Sequence, residues 1–253
     1  MIDLFDRGVA FGLTPFETLF AYKGEVLFLD EHYKRLKRSL KILGIDNNLT
    51  FEKFKEDVLN SIKGINNPVA IKIIYIDDKL NIKLRTPSYT KEHYDRGLKL
   101  AISRERRPKS ILNYIKTFNY GQNYIEDLRA KNKGYDSCIF LDHRGFISEA
   151  AYGNLFFIKD RVIYTPSITC SILPGIIRKK LIEHLKSKVV EVVKTNITLD
   201  ELENFDSAFF TNSVAGVLPV SKIGNTSFSK SATQVKCEII QFMERYFSCW
   251  LGH

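Results

Sequence analysis

The sequence contains no long apolar run, no clustered cysteines and no internal repeat. A helix that crosses a bilayer needs roughly 20 mostly apolar residues, and no segment comes near that length. The first residues, MIDLFDRG, lack the basic and then apolar segments of a secretory signal peptide, so we expect a cytoplasmic protein with reduced thiols. The four cysteines form no Cys-x-x-Cys pair, so we expect no zinc site or other metal centre.

The net charge of +9 leaves three interpretations open. A basic protein can bind nucleic acid, its lysines can simply be solvated on helix faces, or its positive field can attract an anionic small molecule. The basic residues are spread over the whole chain and form no long block, which favours the second and third interpretations. We therefore expect neither a nucleic-acid partner nor a membrane partner.

Hydrophobic periodicity predicts a chain of mixed α/β (α+β) class with two domains. Residues 1–107 are predicted to form a small N-terminal α+β domain, residues 108–115 a linker, and residues 116–253 a larger C-terminal domain. The basic, proline-containing stretch RERRPK marks the transition, and Asp30 is the predicted N-cap of the first long helix. The predicted elements are a hairpin at 21–29, helices at 31–43 and 51–62, strands at 69–76, 80–85 and 98–103, a helix at 120–131, strands at 137–141, 155–158 and 161–164, a helix at 175–187, strands at 189–194 and 207–211, and a helix at 231–248.

One lysine and one glutamate in the second half of the chain have settings suited to chemistry. Lys116 lies between the apolar residues Ile115 and Phe118, just before a predicted helix. An amine that forms a Schiff base reacts in its neutral form, which an apolar setting favours. Glu149 precedes two small residues at the head of an apolar strand, where a carboxylate can face the nitrogen of a pyridine ring. Either residue alone also fits a solvated surface group, so the argument depends on their order and spacing.

Further segments are suited to holding a phosphate. The turn Leu173-Pro174-Gly175 opens a helix whose first N–H groups can bind an anion, although it also fits an ordinary turn before an amphipathic helix. Thr211-Asn212-Ser213 follows an apolar strand, and it either offers hydroxyl and amide groups to a ligand or simply caps the strand. Arg35 either grips a phosphate through two N–H groups or is one more basic residue on a helix.

Taken together, these segments resemble the fold-type IV pyridoxal 5′-phosphate (PLP) enzymes, the aminotransferase class IV family. The resemblance covers nearly the whole chain, and the order of its blocks is a specific signal. The blocks are Phe5–Gly8, Phe11-Gly12, Phe16–Thr18, His32–Leu36, Lys116–Tyr120, Ile147–Glu149, Asn154–Phe156, Tyr164–Pro166, Ile172–Arg178, Phe210–Ser213 and Leu218–Val220.

The resemblance implies two α/β domains, the second one barrel-like, with PLP in the cleft between them, and a homodimer. It implies that Lys116 is the Schiff-base lysine and general base, and that Glu149 pairs with the pyridine nitrogen. The other expected cofactor-binding residues are Arg35, the N–H groups of Ile176 and Ile177, Asn212 and Ser213 at the phosphate, and Tyr120 and Asn154 near the ring.

The sequence also departs from the family pattern in ways that bear on the substrate. Gly12–Pro15 stands where members often have Gly-Asp-Gly, and Ala150–Tyr152 stands where small polar residues often follow the glutamate. Ile177 replaces a threonine found in many members, which removes one phosphate-binding hydroxyl. PLP binding is still expected, whereas the substrate is less well defined.

The family contains 4-amino-4-deoxychorismate lyases, branched-chain aminotransferases and D-amino acid aminotransferases, and three features favour the lyase. The chain is short, Phe16–Thr18 and Thr211–Ser213 look like lyase sequences, and aminotransferase substrate motifs are not evident. Such a lyase converts 4-amino-4-deoxychorismate to pyruvate and 4-aminobenzoate, a folate precursor. Arg85, Arg104 and Arg106 are candidate partners for the anionic substrate. The alternative is a class IV aminotransferase acting on branched-chain L-amino acids or on D-amino acids with a 2-keto acid acceptor.

Overall fold

The computed structural model describes residues 7–228 and 234–251. They form two compact units, each with its own set of contacts. Among these residues, the first unit consists of residues 7–88 with Ile115–Gly121, and the second of Tyr89–Tyr114 with residues 122–228 and 234–251. Phe5 and Asp6, which open the first block of the family resemblance, lie outside the described residues.

The first unit contains an antiparallel sheet of four strands with two helices packed on one face. Its elements are α1 (Arg7–Ala10), β1 (Phe16–Tyr22), β2 (Glu25–Val26), α2 (Leu29–Ile42), α3 (Phe51–Ser61), β3 (Val69–Ile76) and β4 (Lys79–Arg85). The strands lie in the order β2-β1-β3-β4. Leu19 of β1 and Ile71 of β3 are opposite each other in register and pack with Leu36 of α2 and Phe54 of α3. The alternate residues of both strands therefore occupy the other face of the sheet.

Both predicted hairpins of this sheet are present, and each closes through a two-residue turn with left-handed backbone. Lys23 and Gly24 have φ values of 52° and 76°, and Asp77 and Asp78 have values of 51° and 54°. Positive φ at both central residues is typical of type I′ turns, whose twist matches that of the flanking strands. Glycine and aspartate adopt this backbone at low cost.

Helix α2 begins earlier than predicted, and Asp30 is not its N-cap. The N-cap is Phe28, which has a φ of 53° and makes no side-chain capping bond. Asp30 lies within the first helical turn and forms an exposed ion pair of 3.0 Å with Lys34. An acidic side chain there interacts favourably with the helix dipole, which the sequence cannot distinguish from capping. At α3, by contrast, the Thr50 side chain accepts a hydrogen bond from Lys53 N and caps the helix.

The segment that carries Lys116 belongs to the first unit, although the sequence analysis grouped it with residues 116–253. Phe16 N donates to the carbonyl oxygen of Lys116 at 2.9 Å, and Phe118 N donates to that of Thr14 at 2.9 Å. A bridge between residues 15 and 117 lies between these bonds. The backbone around Lys116 is therefore fixed against the start of β1.

The second unit contains the remaining helices and strands. They are α4 (Lys91–Arg96), β5 (Leu98–Arg107), α5 (which begins at Gly121 and ends at Lys131), β6 (Ser137–Asp142), β7 (Ile147–Ala150), β8 (Asn154–Lys159), β9 (Val162–Pro166), α6 (Ile176–Ser187), β10 (Val192–Thr195), β11 (Ser207–Asn212), β12 (Gly216–Ile223), β13 (Thr226–Ser227) and α7 (Gln234–Phe247), with short 3-10 helices at Ile111–Tyr114, Ile168–Cys170, Asp200–Asn204 and Ser248–Trp250. The sequence analysis did not predict α4, β7, β12 and β13. The predicted start of the terminal helix at Ser231 lies outside the described residues.

Nine strands of the described chain form one mixed sheet in the second unit. Their order is β10-β9-β8-β11-β12-β5-β6-β7, with β13 paired to β12. Ala150 at the end of edge strand β7 donates its N–H to Gly153 O at 2.8 Å, just before β8. The sheet is therefore curled, because its edge returns towards an inner strand. The predicted mixed α/β class with a barrel-like second sheet is confirmed.

Strand β5 extends through most of the stretch that was expected to mark the domain transition. It pairs in parallel with β6 and with β12, and Arg106 and Arg107 stand opposite Leu141 and Asp142. The predicted boundary at 107/108 therefore does not coincide with the division into units, which falls after Ser88. No helix within the described ranges is long and apolar enough to cross a membrane.

Candidate active site

The Lys116 amine is held among aromatic side chains of the first unit. Its Nζ lies 4.4 Å from the ring centroid of Phe16 and 4.9 Å from that of Tyr120. Nζ also donates a hydrogen bond to the Tyr120 hydroxyl at 3.1 Å. The Phe16 and Tyr120 rings meet edge to face, with centroids 5.5 Å apart. The structure therefore brings together two predicted site residues, an amine and a phenol between which a proton can pass.

A second lysine, which the sequence analysis did not identify, lies against the same aromatic group. Lys72 Nζ is 5.0 Å from the Phe16 ring centroid and 5.1 Å from that of Phe118. Lys72 stands opposite Thr18 in the register of β1 and β3. Lys72 lies within VAIKIIYI, where strand alternation places its side chain on the face of the sheet opposite the helices. Which side chains it meets on that face depends on the register in which β3 pairs with β1.

Arg35, predicted at the phosphate, is held by a buried carboxylate in the first unit. Its Nε and Nη2 donate to Oε1 and Oε2 of Glu17 at 2.7 and 2.6 Å. His32 Nδ1 lies 2.7 Å from the same Oε2. Burial alone would raise the pKa of Glu17, but the charge and hydrogen bonds of Arg35, reinforced by His32, lower it to about 2. Burial lowers the pKa of His32, although Glu17 opposes the shift. This network fixes the orientation of the Arg35 side chain.

Glu149 occupies a buried polar site on β7 in the second unit. Its Oε2 accepts hydrogen bonds from Asn154 Nδ2 at 3.0 Å and from Leu173 N at 3.1 Å. Nη2 of Arg107 lies 3.3 Å from Oε1. The Arg107 guanidinium lies over the Phe140 ring, 4.5 Å from its centroid. Two predicted residues, Glu149 and Asn154, are thus in direct contact, and Arg107 is an additional site residue that the sequence analysis missed.

The start of α6 adjoins this site. Gly175 is the N-cap, and a Cβ there would lie 2.0 Å from Asn154 Oδ1, so only glycine fits without displacement. Ile176 and Ile177 follow as the first helical residues, and the first N–H groups of a helix have no intrahelical partner. Arg178 donates to Thr165 Oγ1 and Pro166 O, at 3.2 and 2.9 Å. Burial lowers the pKa of Arg178 to about 10, and the charge of Glu149 opposes the shift.

The end of β11 lies beside the start of β8, because Thr211 of β11 is paired in register with Asn154 of β8. The Thr211 hydroxyl is buried and has no hydrogen-bond partner in the described part of the chain. Asn212 is already engaged: its Oδ1 accepts from the N–H groups of Val214 and Ala215 at 3.0 and 2.8 Å. Its Nδ2 donates to the Tyr89 hydroxyl at 2.8 Å. Asn212 therefore organises the turn that contains Ser213.

The predicted site residues fall into two sets. Lys116, Tyr120 and Arg35 lie in the first unit, whereas Glu149, Asn154, Ile176, Ile177, Asn212 and Ser213 lie in the second. The roles assigned to them by resemblance stay predictions.

Comparison with known proteins identifies the class. The sequence pattern of the class IV aminotransferases (Amino-transferase class IV) matches residues 14–223, and the chain belongs to this family. A relative from Methanocaldococcus jannaschii, provisionally named a branched-chain-amino-acid aminotransferase, is 31% identical over 88% of this chain and 82% of its own. The aminodeoxychorismate lyase of Bacillus subtilis is 30% identical over 92% of this chain and 85% of its own. The branched-chain amino acid aminotransferase of Escherichia coli shares the fold, with a TM-score of 0.87 at 24% identity, covering 98% of this chain and 90% of its own.

This family depends on PLP, so the cofactor prediction is confirmed. The second unit fits the group chemically. It offers a buried carboxylate at Glu149 for the pyridine nitrogen and an unpartnered buried hydroxyl at Thr211. Gly175 lets backbone approach closely at the start of α6, where N–H groups suit a phosphate.

Proposed function

We propose that this protein is a PLP-dependent lyase that converts 4-amino-4-deoxychorismate to 4-aminobenzoate and pyruvate. The observation that carries the proposal is a group of cations on the outer face of the first sheet, next to Lys116. A substrate with two carboxylates would neutralise part of the positive charge on this face. The single carboxylate of a branched-chain amino acid, attached to an apolar side chain, suits this face less well.

The register in which β3 pairs with β4 places these cations on one face of the sheet. Lys83 of β4 stands directly opposite Lys72 of β3, and Arg85 follows two residues later on the same side. Burial lowers the pKa of Lys72, and the charges of Arg85, Lys116 and Lys83 lower it further. Like charges facing each other across strands are destabilising. Within the described ranges none of Lys72, Lys83 and Arg85 has a carboxylate partner, so an anionic ligand would stabilise all three.

The proposed roles of the chain's own groups follow from their chemistry. PLP, when bound, supplies an electron sink for the carbon that loses a proton. Lys116 removes that proton from the ring carbon bearing the amine, and Tyr120 holds the Lys116 amine through its hydroxyl. The bond between the ring and the enolpyruvyl oxygen breaks, and the leaving group takes up a proton to give pyruvate. Glu149 would face the pyridine nitrogen as a carboxylate and would favour a protonated nitrogen.

A class IV aminotransferase is the second candidate, because the relative from Methanocaldococcus jannaschii is as similar as the lyase of Bacillus subtilis. It would act on branched-chain L-amino acids or D-amino acids with a 2-keto acid acceptor. It would use the same lysine to move the proton, but no ether bond would break, and the amino group would pass to the keto acid acceptor. The two activities therefore differ in products and not in the cofactor set.

The deciding experiment mixes the purified, PLP-loaded protein with freshly generated 4-amino-4-deoxychorismate. We expect 4-aminobenzoate and pyruvate in equal amounts, and neither product from Lys116→Ala. Lys63→Ala is the matched control, since Lys63 is an exposed lysine of the same unit. Amino transfer from a branched-chain L-amino acid or a D-amino acid to a 2-keto acid, without 4-aminobenzoate, would overturn the lyase and establish the aminotransferase.

A further inference from the structure

Two aromatic side chains hold the turn that contains Ser213. The Tyr94 hydroxyl donates to Ala215 O at 2.6 Å, and Trp250 Nε1 donates to Val214 O at 3.1 Å. The Tyr94 and Trp250 rings stack, with centroids 5.9 Å apart and planes inclined by 19°. Burial raises the pKa of Tyr94 far above its ordinary value, so its hydroxyl stays a neutral donor.

The C-terminal helix closes the back of the same turn. Gly216 has a φ of 67°, and a Cβ there would lie 2.7 Å from both Met243 Sδ and Phe247 Cγ of α7. Met243 Sδ also accepts the N–H of Val217 at 3.1 Å. The turn therefore has little freedom to move towards α7.

The hydrogen bonds of this turn engage its backbone but do not engage the side chain of Ser213. Asn212 accepts the N–H groups of Val214 and Ala215, while Trp250 and Tyr94 bind the carbonyl groups of the same two residues. Both middle residues of the turn are thus fixed by side chains. The Ser213 hydroxyl, in contrast, has no hydrogen-bond partner among the described residues.

We propose that Tyr94 and Trp250 are positioning residues that lock the turn 213–216 and so orient the Ser213 hydroxyl towards the cofactor phosphate. The inference rests on the proposed function, because it takes Ser213 as a phosphate ligand. It reaches beyond that function by assigning a cofactor role to α4 and to the C-terminal segment, neither of which contains a predicted site residue. The hydrogen bonds from Tyr94 and Trp250 would therefore affect binding of the cofactor phosphate and not the contacts of the cofactor ring.

The test compares binding of PLP with binding of pyridoxal, which lacks the phosphate. The full chain is freed of cofactor, and dissociation constants are measured by absorbance for the wild type, Tyr94→Phe and Trp250→Phe. Tyr94→Phe keeps the stacked ring and removes only the hydroxyl. Losing one such hydrogen bond should weaken PLP binding about threefold to tenfold. Pyridoxal binding should not change, so the preference for PLP over pyridoxal falls by the same factor.

Tyr33→Phe is the matched control, because it also removes a phenol that donates to a backbone carbonyl, that of Leu49 at 2.9 Å. Tyr33 belongs to the first unit, so its variant should lose stability without losing the preference for PLP. Equal weakening of PLP and pyridoxal in Tyr94→Phe, or no weakening of either, would overturn the positioning role alone. A wild type that binds neither compound would overturn the proposed function and this inference with it.

Since Trp250 is the only tryptophan of the chain, its fluorescence provides a second readout. PLP bound beside the turn should quench this emission in the wild type and in Tyr94→Phe at saturating concentration. Unchanged emission on saturation with PLP would place the phosphate away from the turn and overturn the inference.

Discussion

Arg107 and Glu149 form an ion pair, with Nη2 of Arg107 lying 3.3 Å from Oε1 of Glu149 and both side chains less than one tenth exposed. The contact is not a hydrogen bond, because neither Nε nor Nη2 of Arg107 has a hydrogen-bond partner among the described residues. Burial of a carboxylate is costly unless cations and N–H donors face it. Arg107 therefore offsets the negative charge of Glu149 in this buried site, which would suit the proposed pairing with a protonated pyridine nitrogen.

Replacing Arg107 with glutamine should destabilise the protein, because Glu149 would remain buried without the Arg107 cation. Removal of one member of a buried ion pair costs about 3 kcal/mol. Arg107→Lys keeps the charge and should recover part of this loss. Urea unfolding followed by circular dichroism measures the free energy of unfolding of each variant.

Arg104→Gln is the matched control for this prediction, since Arg104 lies on the same strand but is exposed. Its free energy of unfolding should stay within about 0.5 kcal/mol of wild type. The double variant Arg107→Gln/Glu149→Gln should be more stable than Arg107→Gln alone, because it no longer buries a carboxylate that has lost its Arg107 partner. An Arg107→Gln protein as stable as the control would contradict the stabilising ion pair.

Several candidate site residues, whose roles stay predictions, could be identified because each stands in a recognisable local pattern. Lys116 lies a few residues before a helix, Glu149 precedes two alanines at the end of β7, and Gly175 opens a helix after a proline. The structure places Glu149 next to the turn before Gly175, through the bond from Leu173 N. Spacing along the chain was sufficient here because strand ends and helix starts are local features.

Other site residues could not be predicted, since their neighbours come from strand pairing. Arg107 was assigned to a domain transition because RERRPK is basic and contains a proline, yet β5 continues as far as Arg107 and pairs with β6. Lys72 meets the Phe16 ring only because β1 and β3 pair in one register. A shift of one residue would turn Lys72 to the helix-covered face.

The stability of the first unit should fall in acid because of Glu17. The pKa of Glu17 is lowered to about 2 from an ordinary 4.5, so its contribution is complete above about pH 5 and lost as pH falls through 2. The shift corresponds to roughly 3 kcal/mol. His32 acts in the same direction, because its pKa is lowered and its neutral form is the one that suits the fold. Urea midpoints between pH 7 and pH 2 measure the effect.

Glu17→Gln should be less stable than wild type at pH 7 and should show a flatter dependence of stability on pH below 5. Glu56→Gln serves as the control, since Glu56 is an exposed carboxylate of the same unit and should keep the wild-type pH profile. A Glu17→Gln protein with the full acid dependence of wild type would show that the carboxylate is not ionised in the fold.

Replacing Lys72 with methionine should weaken substrate binding while leaving PLP binding unchanged. Methionine has an unbranched apolar side chain of similar length, and it removes the charge that lies over the Phe16 and Phe118 rings. Loss of a carboxylate contact at a partly buried site should raise KM about tenfold, with a smaller change in kcat. Steady-state kinetics with 4-amino-4-deoxychorismate measures this, and Lys63→Met is the control. Equal losses in PLP affinity and substrate affinity would show that Lys72 serves the cofactor instead.

Replacing Gly175 with alanine should disrupt the cofactor site through Asn154. The new Cβ would lie 2.0 Å from Asn154 Oδ1, so the Asn154 side chain must move, and its hydrogen bond to Glu149 would be lost. The backbone of Gly175, with a φ of −68°, accepts alanine without strain, so the effect comes from this contact alone. We expect PLP to bind about tenfold more weakly, because Glu149 and the start of α6 are both displaced. Gly121→Ala is the matched control, since a Cβ there meets nothing within 4 Å. Equilibrium dialysis against PLP measures both proteins, and equal affinities would mean that Asn154 moves without consequence for the cofactor.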